Sequence, residues 1–380
     1  MAGGNPWSRS DRGRSVRRAV AGGVRSLFWL YRPSLPSVRA QSIQVVNSAH
    51  AAAVRGNSVR LCVDPVGGAS SAAELLAPYG LAPHPRLQLV PLPRNPLGSL
   101  VFRQQAFLAA RRGDLFVARS KRYARALMRM LPARVVIEAH EVDSRQVAER
   151  GDDPGPWLEL ERKVLGGAAA VVANCPGTLD LLRRTHPRLP PAIALHNATH
   201  TSRRRQPVGR GQGALYAGSV RDYKGLAVLA RAARQVDFCV TLLGATSEQA
   251  AGLQRLAGGC LKVAPPVPHV EVPDRLAEAR VLVLPAAGGL FGSRLTSPLK
   301  LWDYLASGRP VVAADTPALR DAAGAGAAYY RVGDAADLAR VLARVHAADP
   351  LAASVAREAR TRTWAERAAE LDGFLADVLR

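Results

Sequence analysis

Apolar and polar positions along this chain fall into short blocks whose period keeps switching between two residues and three to four. An apolar run at 24–31 (VRSLFWLY) predicts a buried strand, and 41–55 has the wider spacing of a helix. The exchange then repeats. Strands are predicted at 59–63, 87–91, 114–118, 134–139, 168–174 and 192–195, with helices at 71–76, 97–111, 122–130, 157–165 and 177–185 between them. Residues 201–213 (TSRRRQPVGRGQG) lose all periodicity and predict a linker. A second series follows, with strands at 214–217, 238–243, 261–263 and 281–284 and helices at 226–234, 247–256 and 273–279. Such alternation needs a parallel sheet covered on both faces, so the pattern predicts an α/β fold of two Rossmann-like parallel-sheet domains facing a cleft. The expected boundaries are a basic disordered tail at 1–22, a first domain at 23–200, the linker at 201–213, a second domain at 214–360 and a terminal helix at 361–380.

One stretch carries more than periodicity. In 296–312 (TSPLKLWDYLASGRPVV), Ser297 is a good N-cap and Pro298 suits the first helical position. Leu299, Trp302 and Leu305 recur at i, i+3 and i+6, Gly308 ends the helix, and Val311-Val312 starts a strand. The expected helix opens with bare N–H groups, which together with the macrodipole suit a phosphate or diphosphate. Lys300 adds a full charge there. An ordinary capped helix of an α/β domain satisfies the same pattern.

Length and composition narrow the classes. A chain of 380 residues exceeds one ordinary core, and 48% hydrophobic residues suffice for two. The formal charge of +22 invites nucleic acid or an anionic membrane as partner. Only five of the 52 basic residues are lysine, however, and the arginines are spread through an Ala-, Gly- and Pro-rich chain, which reads as compositional bias more than as a groove. Residues 1–40 hold eight arginines and one acid, Asp11, so a peripheral contact with anionic lipid heads is a second expectation. Cys62, Cys175, Cys239 and Cys260 form no metal or disulfide pattern. No apolar run approaches the roughly 20 residues of a membrane span. Arg25 and Arg32 bracket the only early apolar stretch, which leaves no signal-peptide core and makes the cytoplasm the expected location.

The string at 297–321 (SPLKLWDYLASGRPVVAADTPALRD) resembles the nucleotide-sugar-binding segment of retaining glycosyltransferases of the GT-B fold, in the large family numbered 4. The resemblance extends from about residue 24 onward and is strongest over 218–320. It implies a GT-B architecture whose second domain holds the donor. The helix start at Ser297, Pro298 and Leu299 would receive the diphosphate with Lys300, the N–H groups of Ser297 and Leu299 donating, and Asp303 would bind the nucleotide ribose. Asp303 stands at the second glutamate of the family's E-x7-E motif; the first position is Leu295, as in the branch with a Ser-Pro-x-Lys element. The last helix resembles the family's terminal helix that crosses back onto the first domain.

Further segments fit the same resemblance. In 218–225 (GSVRDYKG), two cations beside glycines on a loop after a strand can neutralise a pyrophosphate, although a solvated basic turn has the same composition. There the family's Gly-Arg…Lys-Gly loop implies Lys224 and Arg221 as catalytic cations, with Gly218 and Ser219 at the donor; the arginine that usually follows the glycine is replaced by Ser219. The glycine-rich loop 288–294 would bring Gly292, Ser293 and Arg294 to the donor. Glu138, His140 and Glu141 match an acceptor-side segment in which a His lines the sugar site, which implies His140 as a catalytic residue that either hydrogen-bonds the donor sugar or helps take the acceptor proton. Asn197 keeps the first residue of the family's Asn-Gly-Val-Asp.

The resemblance implies transfer of a sugar from a UDP- or GDP-sugar to a hydroxyl of a glycan, lipid-linked or small-molecule acceptor, with no cofactor and no metal. No Asp-x-Asp, Walker A loop, complete G-x-G-x-x-G, G-x-S-x-G or H-E-x-x-H occurs, so kinase, dehydrogenase, hydrolase and zinc-protease readings lack their main parts. A nucleotide-sugar epimerase or phosphorylase on the same fold is the enzymatic alternative. A non-catalytic basic protein binding nucleic acid or membrane is the other.

Overall fold

The computed structural model describes residues 25–69, 71–129, 134–200, 211–348 and 361–379. The basic tail and most of the expected linker, 201–210, lie outside the described residues.

Each lobe is built on one parallel sheet. In the first, β1 (Ser26–Trp29), β3 (Ser58–Pro65), β4 (Leu87–Pro91), β5 (Leu115–Ala118), β6 (Val135–Ala139), β7 (Ala170–Ala173) and β8 (Ala192–Ala194) stand in the order β4–β3–β1–β5–β6–β7–β8, with the two-residue β2 (Ser34–Leu35) against the end of β3. In the second, β9 (Gln212–Ala217), β10 (Val240–Leu243), β11 (Leu261–Ala264), β12 (Ala279–Leu284), β13 (Val311–Ala314) and β14 (Ala328–Tyr330) stand in the order β11–β10–β9–β12–β13–β14. Alternation within a strand separates the two faces of the first sheet. Phe28 and Leu30 join one buried cluster with Phe116 and Ile137, while Leu27 and Trp29 join another with Leu61 and Val117.

Both strand orders reverse direction once, between β1 and β5 in the first sheet and between β9 and β12 in the second. Neighbouring loops diverge at such a reversal and leave a crevice beyond the carboxyl ends of the strands, which is where ligands bind in open α/β sheets.

The terminal helix Trp364–Val378 leaves the second lobe and packs on the first. Thr363 and Glu366 form a capping box at its start, and Leu371 and Leu375 enter the core beside the helix Ala40–Val54. Asp372 then accepts from Arg55 at 2.5 Å and from Asn57 at 3.1 Å.

Three local expectations are corrected. Residues 212–213 are already strand β9, so the linker ends earlier. The stretch 288–294 is not an open loop, because Leu290–Arg294 forms a short helix whose first N–H, on Leu290, donates to Glu149 of the other lobe at 2.7 Å. The helix expected from Pro298 begins at Leu299 without a side-chain cap. The Ser297 hydroxyl is taken instead by the Asn197 N–H at 2.9 Å.

Candidate active site

The loop after β9 and the loop after β12 meet at the reversal of the second sheet. The Ala287 N–H donates to the Tyr223 carbonyl at 3.0 Å, and the Tyr223 and Phe291 rings stand edge to face at 5.3 Å. Gly225 has φ +65°, and a Cβ there would lie 2.6 Å from the Ala286 carbonyl carbon, so only glycine lets these loops close on each other.

Lysines gather where they close. Lys224 donates to the Ser219 hydroxyl at 2.8 Å and to the Ser219 carbonyl at 3.2 Å, and the Tyr216 hydroxyl donates to the same carbonyl at 3.2 Å. The Lys300 ammonium lies 3.8 Å from the centroid of the Tyr216 ring. Gly218, at φ +145°, makes room for it, since a Cβ there would collide with the Lys300 ammonium. Neither lysine is paired with a carboxylate among the described residues. Desolvation, then the Arg221 charge, lowers the Lys224 pKa to about 8. Burial, then Lys224, lowers that of Lys300 well below its usual value. Two crowded ammonium groups without a counter-ion favour a ligand that brings negative charge. Arg221 is exposed at the rim of this loop, where a charge contributes less.

The remaining donor-side expectations divide. Leu299 and Lys300 open an uncapped helix beside this crevice. Pro298 is its N-cap residue. Gly292 packs against the Ala287 carbonyl, Ser293 donates its hydroxyl to Gly289 at 2.5 Å, and Arg294 has an exposed side chain while its carbonyl meets Cys175 Sγ at 3.5 Å. Ser297 and Asn197 are joined to each other across the lobes. Besides the hydroxyl contact, Asn197 Nδ2 donates to the Ser297 carbonyl at 2.5 Å. Both therefore hold the seam through these atoms. Leu295, at the missing glutamate position, is fully buried in the same seam, and its carbonyl accepts from Asn174 at 3.0 Å. Asp303 accepts from the Thr199 hydroxyl at 2.7 Å and faces His269 Nε2 at 3.4 Å. Burial works against protonation of His269, but Asp303 outweighs it and raises the pKa.

At the reversal of the first sheet, Arg119 follows β5 and His140 follows β6. Arg119 Nη1 lies 3.2 Å from His140 Nε2 and 3.1 Å from Gln44 Oε1. Burial, then the Arg119 charge, lowers the His140 pKa to about 4, which favours the neutral ring at pH 7. Glu138 does not face an acceptor. Its carboxylate is buried and accepts from Arg367 of the terminal helix at 2.6 Å and from Gln44 at 2.8 Å. Desolvation alone would raise its pKa; Arg367, His140 and Arg119 overcome that and hold it ionised. Glu141 stays accessible to solvent, with its pKa raised by partial desolvation and by Asp143.

Arg119, Tyr216, Thr199 and His269 escaped sequence reading. Arg119 could have been found, because it directly follows a predicted strand at a point where strand order reverses.

Comparison with known proteins agrees with this geometry. Residues 211–348 match the family model described as glycosyl transferases group 1. No curated protein sequence matches the chain. Among solved structures, it is similar to the sucrose-phosphate synthase of Thermosynechococcus elongatus, with 16% identity, TM-score 0.65 and coverage of 93% of this chain and 94% of that one. It is also similar to Anabaena HepE in complex with UDP and glucose (14% identity, TM-score 0.66, 92% of this chain and 98% of that one). A third is the catalytic domain of Arabidopsis thaliana starch synthase IV bound to ADP and acarbose (10% identity, TM-score 0.66, 94% and 100%). The two parallel sheets give this chain the GT-B fold of those structures, and its second lobe, residues 211–348, carries the match to glycosyl transferases group 1.

Proposed function

We propose that the chain moves a sugar from a nucleoside diphosphate sugar, UDP- or GDP-linked, to a hydroxyl acceptor with retention of anomeric configuration, as in the family-4 branch with a Ser-Pro-x-Lys element. The observation that carries this reading is the pair of lysines without counter-ions beside Gly218 at the β9/β12 crevice. Breaking the sugar–phosphate bond leaves growing negative charge on the departing diphosphate. Lys224, Lys300 and the bare amides at Leu299 and Lys300 are preorganised to meet that charge, with Arg221 at the rim. These cations supply what a metal ion supplies in other transferases, so the reaction needs neither metal nor cofactor. Neutral His140, oriented by Arg119, lines the sugar side across the cleft. Asp303, held by Thr199 and His269, reads the ribose. The similarity to HepE, whose structure holds UDP and glucose, supports a donor of this class.

The test is to incubate each nucleotide sugar with and without hydroxyl acceptors, following released nucleotide and the anomeric signal of the product. Acceptor-dependent release with retention is expected. Release without acceptor, giving only an epimerised or phosphorolysed sugar, would favour the other enzymes of this fold.

The Lys224 pKa sets a pH dependence. The protonated ammonium binds the diphosphate, so kcat/KM for the donor should fall as pH rises through about 8. A profile measured from about pH 6.5 to 9.5 checks this, and Lys224→Arg, whose guanidinium keeps its proton, should move the fall to higher pH. A rate rising through the same window would contradict it.

A further inference from the structure

We propose that the outer face of the first-lobe helix Pro96–Arg112, continued by the first turn of the helix Lys121–Met128, docks on an anionic lipid bilayer. The helix Pro96–Arg112 is apolar on two sides. Phe102, Ala106 and Ala109 face the core, whereas Leu97 (68% exposed), Leu100 (57%), Phe107 (45%) and Leu108 (41%) share the opposite, solvent-facing side. A surface helix ordinarily turns a polar face to water. Tyr123, 53% exposed, extends the patch, its ring 6.2 Å from that of Phe102. Clusters of exposed large apolar side chains mark surfaces that something covers.

Charge identifies the cover. Residues 93–134 contain ten basic residues and one acid, Asp114, which is buried and paired with Arg112. Arg103, Arg111, Arg122 and Arg125 are exposed around the apolar side chains, and Arg111 lies 5.8 Å from the Phe107 ring. Apolar side chains ringed by cations, with no anion among them, fit the acyl–headgroup boundary of a negatively charged leaflet. Tyr123 lies four residues beyond Arg119, at the cleft end of the first sheet, so docking here brings the cleft to the lipid surface. Among the described residues no helix is long and apolar enough to cross a membrane, so the contact is peripheral.

Cosedimentation with vesicles of phosphatidylcholine alone, or with about one third phosphatidylglycerol, tests the surface. The full chain is expected on the anionic vesicles only, with binding weakened by salt. Leu100→Asp with Phe107→Asp should weaken partition about tenfold or more at an unchanged melting temperature, since both side chains are exposed. Leu100→Trp is a gentler second probe and should be quenched by vesicles carrying brominated acyl chains. Undiminished binding of the double variant, or an unquenched Trp, would overturn the proposal. So would binding that disappears only when Arg9, Arg12, Arg14, Arg17 and Arg18 are replaced. A dimer that Leu100→Asp dissociates in the absence of vesicle binding would identify a second copy as the occupant, and oligonucleotide binding without vesicle binding would identify nucleic acid.

Discussion

Alanine at Lys224 should lower turnover on the order of 100-fold or more at saturating donor, the size of effect seen when one preorganised partner of a developing charge is removed. The expectation rests on where the ammonium sits. Lys224 is fixed by two hydrogen bonds to Ser219 and has no carboxylate to neutralise it among the described residues. Its charge is therefore available to the leaving diphosphate, in a partly buried site where screening by water is reduced. Arg221→Ala should cost much less, because that side chain is exposed. Steady-state kinetics of both variants check the pair of expectations. Near-normal turnover of Lys224→Ala, or an equal loss in both variants, would remove Lys224 from the site.

Replacing Arg367 by leucine should destabilise the protein by about 3–5 kcal/mol, because it takes the contacting guanidinium from the buried Glu138 carboxylate. The Arg367 and Glu138 side chains are only 3% and 4% exposed, and their contact at 2.6 Å joins the terminal helix to the centre of the first sheet. Arg367 also donates to the His196 carbonyl at 3.1 Å, beside the seam formed by Asn197 and Ser297. Loss of the guanidinium therefore loosens both the helix and the lobe junction. Urea unfolding measures it, with Arg331→Leu as the comparison. That residue is 77% exposed in its pair with Asp334, and its loss should cost at most about 1 kcal/mol. Equal stability of the two variants would contradict the expectation.

The contrast between these residues explains how much was legible in the sequence. The sheets were, because their central strands are buried on both faces and appear as apolar runs, as in β6, Val135–Ala139, which is buried throughout. The helix Asp143–Glu149 was not, since DSRQVAE has one large apolar residue and no periodicity to detect. Lys224, Lys300 and Gly218 were legible as chemistry, because cations beside a glycine after a strand suggest an anion wherever the chain folds. Ser297, Asn197 and Glu138 share a feature that local pattern does not show. Each has the right residue type for a cap, a sugar contact or an acid, yet polar atoms of each are bonded to partners distant in sequence, while Asn197 Oδ1 and Glu138 Oε2 accept no hydrogen bond among the described residues. Asn197 meets Ser297 100 residues away, and Arg367 reaches Glu138 across 229. Local pattern reports what a side chain can do; the tertiary partner decides whether it remains available. The stretch 288–294 changed in the same way, since a carboxylate from the other lobe caps what reads as a glycine loop.

The central claim is that the crevice between β9 and β12 holds a nucleoside diphosphate through Lys224 and Lys300. A ligand that binds only the folded state raises the melting temperature in proportion to its occupancy, so thermal shift against UDP, GDP, ADP and TDP and their sugars tests it most directly. At least one nucleoside diphosphate should raise the melting temperature of the unaltered chain, increasingly with concentration, and should leave Lys224→Ala combined with Lys300→Ala nearly unmoved. No shift with any of them, or an equal shift in the double variant, would contradict it.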